Sequence, residues 1–86
     1  MPDYAVVFAR SARKELETLP FSVARRILSA IEQLGADPRP AGVRKLRGVE
    51  NLWRLRVGDY RVLYAIEDAQ RLIDIQVVRH RKDAYR

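Results

Sequence analysis

The sequence predicts an α+β fold, in which an N-terminal strand and a helical hairpin are followed by antiparallel strands that form a sheet packed on the helices. Two observations predict it. Apolar residues recur at helical spacing between residues 11 and 34, and short alternating segments rich in β-branched and aromatic residues fill most of residues 43–78. No linker or internal repeat divides the 86 residues, so we expect one domain over residues 1–86.

The first half of the chain predicts one strand and two helices. Residues 4–8, YAVVF, are short, β-branched and aromatic, as strands are. The first helix is predicted to start at an N-cap on Ser11 and to end at Pro20. The second is predicted to end just before Gly35. Each helix carries a narrow apolar stripe, and the only element left to cover it is a sheet.

Four further strands are predicted after a proline-rich loop. Their segments are VRKLR (43–47), NLWRLRV (51–57), YRVLYAI (60–66) and RLIDIQVV (71–78). Gly58 and Asp59 join the second and third of these segments, because a type II′ turn needs glycine at its first central position. The turn sets the register of the hairpin, which places Val57 opposite Tyr60, Arg56 opposite Arg61, Leu55 opposite Val62 and Trp53 opposite Tyr64.

This register places three arginines on one face of the hairpin. The aromatic and aliphatic side chains form a core face, and Arg54, Arg56 and Arg61 point the other way. Like charges directly opposite one another destabilise a sheet by about 0.2 to 1 kcal/mol, so stability does not explain why arginine stands at both of two opposed positions. Guanidinium groups fixed on a sheet are well suited to phosphate oxygens. We interpret this face as an anion site, and the alternative is three independently solvated arginines, paired in the fold with Asp74 or Glu50.

Charge and composition limit the possible functions. Residues 1–43 hold six Lys/Arg against five Asp/Glu, and residues 44–86 hold eleven against six, so the second half carries +5 of the net charge of +6. This asymmetry predicts a polyanionic partner. With no cysteine and one histidine, the chain offers no metal cluster, and we expect no cofactor. The absence of a long apolar run and of a basic N-terminal segment predicts a cytoplasmic protein with no membrane partner.

The C-terminal segment VVRHRKDAYR (77–86) adds further candidates. His80 is the side chain whose unperturbed pKa, about 6.5, allows proton transfer near neutrality, and Tyr85 supplies a phenol. Strict alternation along the last strand predicts that Arg79 lies on the core face and His80 on the opposite face. A β-bulge near Val78 would reverse both placements.

These segments together resemble the RelE/ParE superfamily of bacterial and archaeal toxins, and its RelE branch more closely. The residues that carry the resemblance are KLRG (45–48), LWRLRVGDYRVLY (52–64) and RHRKDAYR (79–86), and the resemblance covers nearly the whole chain. It implies a ribosome-dependent endoribonuclease that cuts mRNA in the ribosomal A site. The implied partners are mRNA, the ribosome and a cognate antitoxin protein that holds the toxin inactive.

The resemblance also implies a catalytic set. Cleavage by the 2′-hydroxyl of the RNA requires that the hydroxyl be positioned, the phosphorane-like charge neutralised and the 5′-oxygen protonated. Lysines often stand in the family where this chain has arginines, and a guanidinium is a poor base, so the base falls to Tyr85 or His80 and the acid to Arg61 or Arg79. The implied catalytic residues are Arg54, Arg56, Arg61, Arg79, His80 and Tyr85, and the expected RNA-binding residues are Lys45, Arg47, Arg81 and Lys82.

Two other functions are compatible with the sequence. The ParE branch shares the fold but inhibits DNA gyrase through protein contacts and needs no nuclease site, which leaves so many basic residues and Tyr85 without a role. The other possibility is a basic binding module without toxicity. Expression without an antitoxin separates the toxins from the module, because only a toxin arrests growth.

Overall fold

The computed structural model describes residues 3–82. In chain order its elements are β1 (Ala5–Phe8), α1 (Arg10–Thr18), α2 (Phe21–Ala36), β2 (Arg44–Lys45), β3 (Trp53–Val57), β4 (Tyr60–Glu67) and β5 (Leu72–His80). Within these residues the strands form one sheet in the order β1-β5-β4-β3-β2, with β1 parallel to β5 and the other neighbours antiparallel. The predicted α+β fold is confirmed. No helix in residues 3–82 is long and apolar enough to cross a membrane.

The core lies between the two helices and one face of the sheet. Burying each large aliphatic side chain there stabilises the fold by about 1.5 to 3 kcal/mol. The other face is covered by no helix within residues 3–82, and we call it the open face. The buried core residues are Ala12, Leu16, Ile27, Ile31 and Leu34 from the helices and Val57, Val62, Tyr64, Ile66, Ile73, Ile75 and Val78 from the sheet.

The β3–β4 hairpin has the predicted register at every predicted pair. Gly58 has a φ of 60°, as the first central position of a type II′ turn requires. Tyr64 is fully buried, and Trp53 and Tyr60 pack against the core. The prediction that these three aromatic residues belong to the core is confirmed.

Helix α1 begins without the predicted cap. Its N-cap position is Ala9, and no side chain caps the helix. The Ala9 N–H donates to the carbonyl of Ile75 at 2.8 Å, so the ladder with β5 continues directly into the first helical turn. The Ser11 hydroxyl lies 3.5 Å from the carbonyl oxygen of Gln76, to which it donates. The prediction of Ser11 as N-cap is therefore wrong.

Gly35 lies inside α2 and not beyond its end, which also corrects the predicted helix boundary. The carbonyl of Gly35 accepts the Tyr4 N–H at 2.8 Å, so the chain leading into β1 passes directly over the helix. A Cβ at this position would lie 3.1 Å from the Tyr4 carbonyl oxygen, so the main chain at Tyr4 would have to shift by a few tenths of an ångström. Glycine is needed here for close backbone approach.

We expect Gly35→Ala to lower the free energy of unfolding by about 1 kcal/mol. In an exposed helix this substitution raises stability by roughly 1 kcal/mol, so the overpacking against Tyr4 must exceed that gain. Urea denaturation measures the difference. Ser29→Ala, an exposed position on the same helix, is the control for helix propensity and is expected to leave stability unchanged or slightly raised. A stabilised Gly35→Ala protein would show that the close contact is not a constraint.

The loop after α2 is held by a cluster of polar contacts around Asp68. Arg39 donates to both carboxylate oxygens of Asp68, at 2.8 and 3.3 Å, and the Tyr4 hydroxyl donates to the same carboxylate. The hydrogen bonds from Arg39 and then Tyr4 lower the pKa of Asp68. The Arg39 guanidinium also lies 5.1 Å from the centre of the Trp53 ring. The cluster joins the loop, the start of β1 and the β4–β5 turn.

Stability is expected to fall in the alkaline range because of Tyr64. Its hydroxyl donates to the carbonyl of Pro38 at 2.8 Å. Burial raises the pKa of Tyr64 from 10.0 to about 12. Because the folded pKa is the higher one, this contribution to stability is complete below pH 10.0 and is lost as pH rises to about 12. Tyr64→Phe should flatten that fall, as measured by urea denaturation across this range, and an unchanged pH profile would contradict the assignment.

Candidate active site

A row of three arginines crosses the open face of the sheet. Arg56 in β3 lies opposite Arg61 in β4, and Arg61 lies opposite Arg79 in β5. Residues directly opposite one another share a face, and neighbouring strands are about 4.8 Å apart, so the three side chains leave the sheet within about 10 Å. We call these three residues the arginine row. The predicted common face of Arg56 and Arg61 is confirmed.

A β-bulge brings Arg79 into the row. The pairing of β4 with β5 shifts by one residue after Leu63, so Gln76 is an extra residue in β5. Beyond the bulge Val78 is 2% exposed and belongs to the core, and Arg79 consequently faces the open side. Strict alternation predicted the reverse and is wrong here, whereas the bulged alternative is correct.

Two more arginines lie beside the arginine row. Arg54 in β3 lies opposite Arg44 in β2, and Leu63 is its neighbour in β4. The open-face position predicted for Arg54 is confirmed. The sequence analysis missed Arg44, although a signal was present: Val43 packs against the core, so alternation sends Arg44 to the open face and Lys45 to the helix face.

Exposure differs along the row. Arg61 is only 8% exposed, whereas Arg56 and Arg79 are exposed. Within residues 3–82 neither Arg56 nor Arg79 forms an ion pair with a carboxylate. The two outer members of the row can therefore donate to an anion from outside the protein, such as a phosphate group.

Two of the predicted site residues lie on the helix face. His80 lies opposite Tyr60, and their rings meet edge to face with centroids 5.2 Å apart. The His80 Nδ1 accepts the main-chain N–H of Lys82 at 3.2 Å. Lys45 lies opposite Trp53, with its Nζ 6.0 Å from the ring centre. The bulge explains His80, since it reverses the face of every later residue in β5, and neither side chain shares a face with the arginine row.

Of the remaining predicted site residues, three are exposed and one is not among the described residues. Arg81 donates its main-chain N–H to the carbonyl of Asp59 at 2.7 Å, and its Nε lies 3.8 Å from the Asp59 carboxylate. Both of these side chains are exposed, so the ion pair contributes little. Arg47 and Lys82 are exposed. Tyr85 lies outside the described residues.

Comparison with known proteins finds relatives that match nearly the whole chain. The family model described as "ParE toxin of type II toxin-antitoxin system, parDE" matches residues 6–85. Toxin RelG of Mycobacterium tuberculosis is 33% identical over 84 residues, which cover 96% of this chain and 97% of that protein.

Solved structures show the same fold. A chain of the archaeal RelE-RelB complex from Pyrococcus horikoshii matches with a TM-score of 0.82 and 33% identity, over 92% of this chain and 96% of that one. A chain of the RelB-RelE antitoxin-toxin complex from Methanococcus jannaschii matches with a TM-score of 0.75 and 28% identity, over 92% and 94%. Given a family match along nearly its whole length and relatives named RelE, the chain belongs to the RelE/ParE superfamily of type II toxins, in its RelE-like branch.

Proposed function

We propose that this protein is a ribosome-dependent endoribonuclease toxin that cuts mRNA in the ribosomal A site. The arginine row is the observation that carries the proposal. The exposed guanidinium groups of Arg56 and Arg79 offer planar, bidentate donors to one phosphate, and the buried guanidinium of Arg61 between them adds positive charge. A sheet that puts like charges opposite one another loses stability, so an anionic ligand gives a reason for an arrangement that folding does not favour.

The proposed reaction uses the RNA itself as nucleophile. The 2′-oxygen attacks the adjacent phosphorus, the bond from phosphorus to the 5′-oxygen breaks, and the products are a 2′,3′-cyclic phosphate and a 5′-hydroxyl. The 2′-hydroxyl proton passes to a general base, and a general acid gives a proton to the leaving 5′-oxygen. The arginine row stabilises the additional negative charge of the phosphorane-like transition state. A single preorganised donor of this kind typically contributes about 10²- to 10³-fold in rate.

The general base is the part of the mechanism that the arginine row does not supply. We assign it to Tyr85, the phenol that the resemblance implies in the catalytic set, and we assign the acid to Arg79 or Arg61. His80 is the weaker candidate for the base, since its ring packs against Tyr60 on the helix face. In this proposal His80 supports the chain leading to Tyr85, and Arg54 adds charge beside the row.

A cognate antitoxin completes the proposed function. RelE chains with this fold occur in complexes with RelB, and the matched family is described as part of a toxin-antitoxin system. We propose that an antitoxin inhibits this toxin by covering the arginine row or by displacing the C-terminal segment. A complex that leaves both exposed would contradict inhibition by direct masking.

A second candidate function is inhibition of DNA gyrase, because the family model that matches is described by the name ParE. Expression in a bacterial host without antitoxin, followed by mapping of mRNA 5′ ends, separates the two. The nuclease predicts cuts at fixed positions within codons and unimpaired gyrase supercoiling. Intact transcripts with inhibited supercoiling would establish the gyrase function instead, and normal growth would indicate a protein without toxicity.

A further inference from the structure

The chain turns directly after β5, which ends at His80. Residues 81 and 82 form the turn, and two consecutive main-chain N–H groups hold it. The Arg81 N–H donates to the carbonyl of Asp59 at 2.7 Å, and the Lys82 N–H donates to the His80 Nδ1 at 3.2 Å. The turn therefore depends on one main-chain acceptor and on one side-chain acceptor, which is the imidazole.

The ring of Tyr60 restricts the orientation of this imidazole. His80 lies opposite Tyr60 in the sheet, and the two rings meet edge to face with centroids 5.2 Å apart. Tyr60 itself packs against the core. An edge-to-face contact favours one arrangement of the two rings, and here it leaves Nδ1 directed at the main-chain N–H two residues later.

Only a neutral imidazole can accept this hydrogen bond. A ring nitrogen that accepts carries no proton, so the proton of the neutral ring is on Nε2. A protonated ring is a donor at both nitrogens and has no lone pair for the Lys82 N–H. Protonation of His80 therefore removes one of the two hydrogen bonds that hold the turn.

The groups around His80 come from several elements of the fold. Histidine is the only residue type among them whose charge ordinarily changes between about pH 5 and 8. In that range, a change in the charge of this corner therefore comes from His80. The charged and titratable side chains are Tyr60 of β4, Asp59 of the β3–β4 turn, Arg26 of α2, which lines a hollow with Tyr60, and Arg79, Arg81 and Lys82 of the same segment as His80.

We propose that neutral His80 is a positioning residue for the cleavage reaction, an inference that rests on the proposed function. The turn begins next to Arg79 of the arginine row and leads to Tyr85, the assigned base, three residues beyond Lys82. Three residues of chain span at most about 11 Å, so the direction of the turn decides whether a phenol at its end can reach the row. His80 itself lies on the helix face, away from the reacting atoms. Its protonation loosens the turn and lowers the rate of cleavage.

Two substitutions at position 80 separate the hydrogen bond from the ring. In His80→Asn the amide oxygen can accept the N–H two residues later, as asparagine does in turns, but the ring contact with Tyr60 is lost. His80→Phe keeps an aromatic ring against Tyr60 and offers no acceptor. Circular dichroism of each purified variant, with its antitoxin where needed, checks that the fold is retained.

Cleavage on ribosomes programmed with an A-site codon should distinguish the two variants. We expect His80→Phe to lower kcat by up to about 10²-fold with little change in KM, because a displacement of about 1 Å can cost that much in rate. His80→Asn should restore most of the loss. Activity lost equally in both variants would identify His80 as a catalytic group, and activity kept in both would show that it has no role. Either result would overturn the proposal.

The pH profile of cleavage gives a readout that a purely structural role would not change. Below about pH 6, cleavage by the wild type should fall more steeply with pH than cleavage by His80→Asn, since the amide does not titrate. Any titration of Tyr85 is common to both proteins and does not affect the comparison. Parallel profiles would contradict the proposal.

Amide NMR of the purified protein keeps this inference separate from the proposed function, because it needs neither RNA nor the ribosome. At about pH 7 the Lys82 amide should be protected from hydrogen exchange in the wild type and in His80→Asn, and unprotected in His80→Phe. An unprotected Lys82 amide in the wild type would overturn the inference even if the protein cuts mRNA. A protected amide whose protection is lost on acidification, in a protein that cuts no mRNA, would support the pH-dependent turn and refute the proposed function.

Discussion

Arg61→Ala is expected to abolish growth arrest and to slow mRNA cleavage by at least about 10²-fold. Arg61 is the central member of the arginine row, and it is 8% exposed, so its side chain has less conformational freedom than those of its two exposed neighbours. Removing it leaves the outer arginines without a donor between them. Growth after induction and the rate of cleavage on ribosomes programmed with an A-site codon measure the effect.

Two further variants make this result specific. Arg25→Ala removes an exposed arginine from α2 and the same unit of charge, and it should arrest growth as the wild type does. Arg61→Lys keeps the charge but loses the planar, bidentate donors, and we expect intermediate activity. Circular dichroism of each purified variant, with its antitoxin where needed, shows whether the fold is retained. A folded Arg61→Ala protein with full toxicity would refute the active-site assignment.

Arg56→Glu is expected to raise the stability of the protein while abolishing its activity. Arg56 lies directly opposite Arg61, so the substitution replaces a like-charged cross-strand pair by an oppositely charged one. Such a change is worth about 0.5 to 1 kcal/mol in a sheet. The same carboxylate repels a phosphate and competes for Arg61, so cleavage should fall by about 10²-fold or more.

Urea denaturation and the programmed-ribosome assay measure the two effects on the same preparation. Arg56→Gln is the matched control, because it removes the repulsion without adding a negative charge; its stability and activity should lie between those of the wild type and Arg56→Glu. A less stable Arg56→Glu protein would show that the pairing of Arg56 with Arg61 does not cost stability. Ligand binding would then not be needed to explain this pair. Retention of activity would show that Arg56 does not contact the substrate.

The hairpin was predictable because local chemistry determines it. Gly58 specifies a two-residue turn, and a turn of that length fixes every cross-strand pair that follows. Apolar side chains at alternating positions then settle which face is buried. The common face of Arg56 and Arg61 follows from these two facts, and both are visible in the sequence.

The face of Arg79 was not predictable in the same way. Val77 and Val78 are both apolar, so either could belong to the core, and the two choices place Arg79 on opposite faces. The structure resolves the choice with a bulge at Gln76, which keeps Val78 buried and adds Arg79 to the arginine row. The main-chain carbonyl of Gln76 accepts the Ser11 hydroxyl, a contact between distant parts of the chain that local patterns do not contain.

Two other differences between the predicted and the observed structure also arise from tertiary contacts. The close approach of the Tyr4 carbonyl requires Gly35, although glycine near a helix end normally indicates a C-terminal cap. Strand β2 is only two residues long and is separated from β3 by a loop, so its register depends on packing. The burial of Val43 sets that register and places Arg44, not Lys45, on the open face.

The sheet thus places like charges opposite one another, an arrangement that the stability of the fold does not favour. Within residues 3–82 the open face combines a row of three arginines with two flanking arginines. In the function that we propose, these arginines bind the phosphates of an RNA strand. The opposite face is taken up by the core and the helices.

The most direct test of this account is the salt dependence of binding to a short single-stranded RNA blocked at its 2′-hydroxyls. Each phosphate contact contributes about 0.7 to the slope of log affinity against log salt concentration. Replacing all three arginines of the row by glutamine should make the slope shallower by about 0.7, the contribution of the one phosphate that they bind in the proposed function. A control with Arg10, Arg13 and Arg25 replaced by glutamine has the same net charge and should keep the wild-type slope. Equal slopes for the two triple variants would show that the arginine row does not bind the RNA backbone.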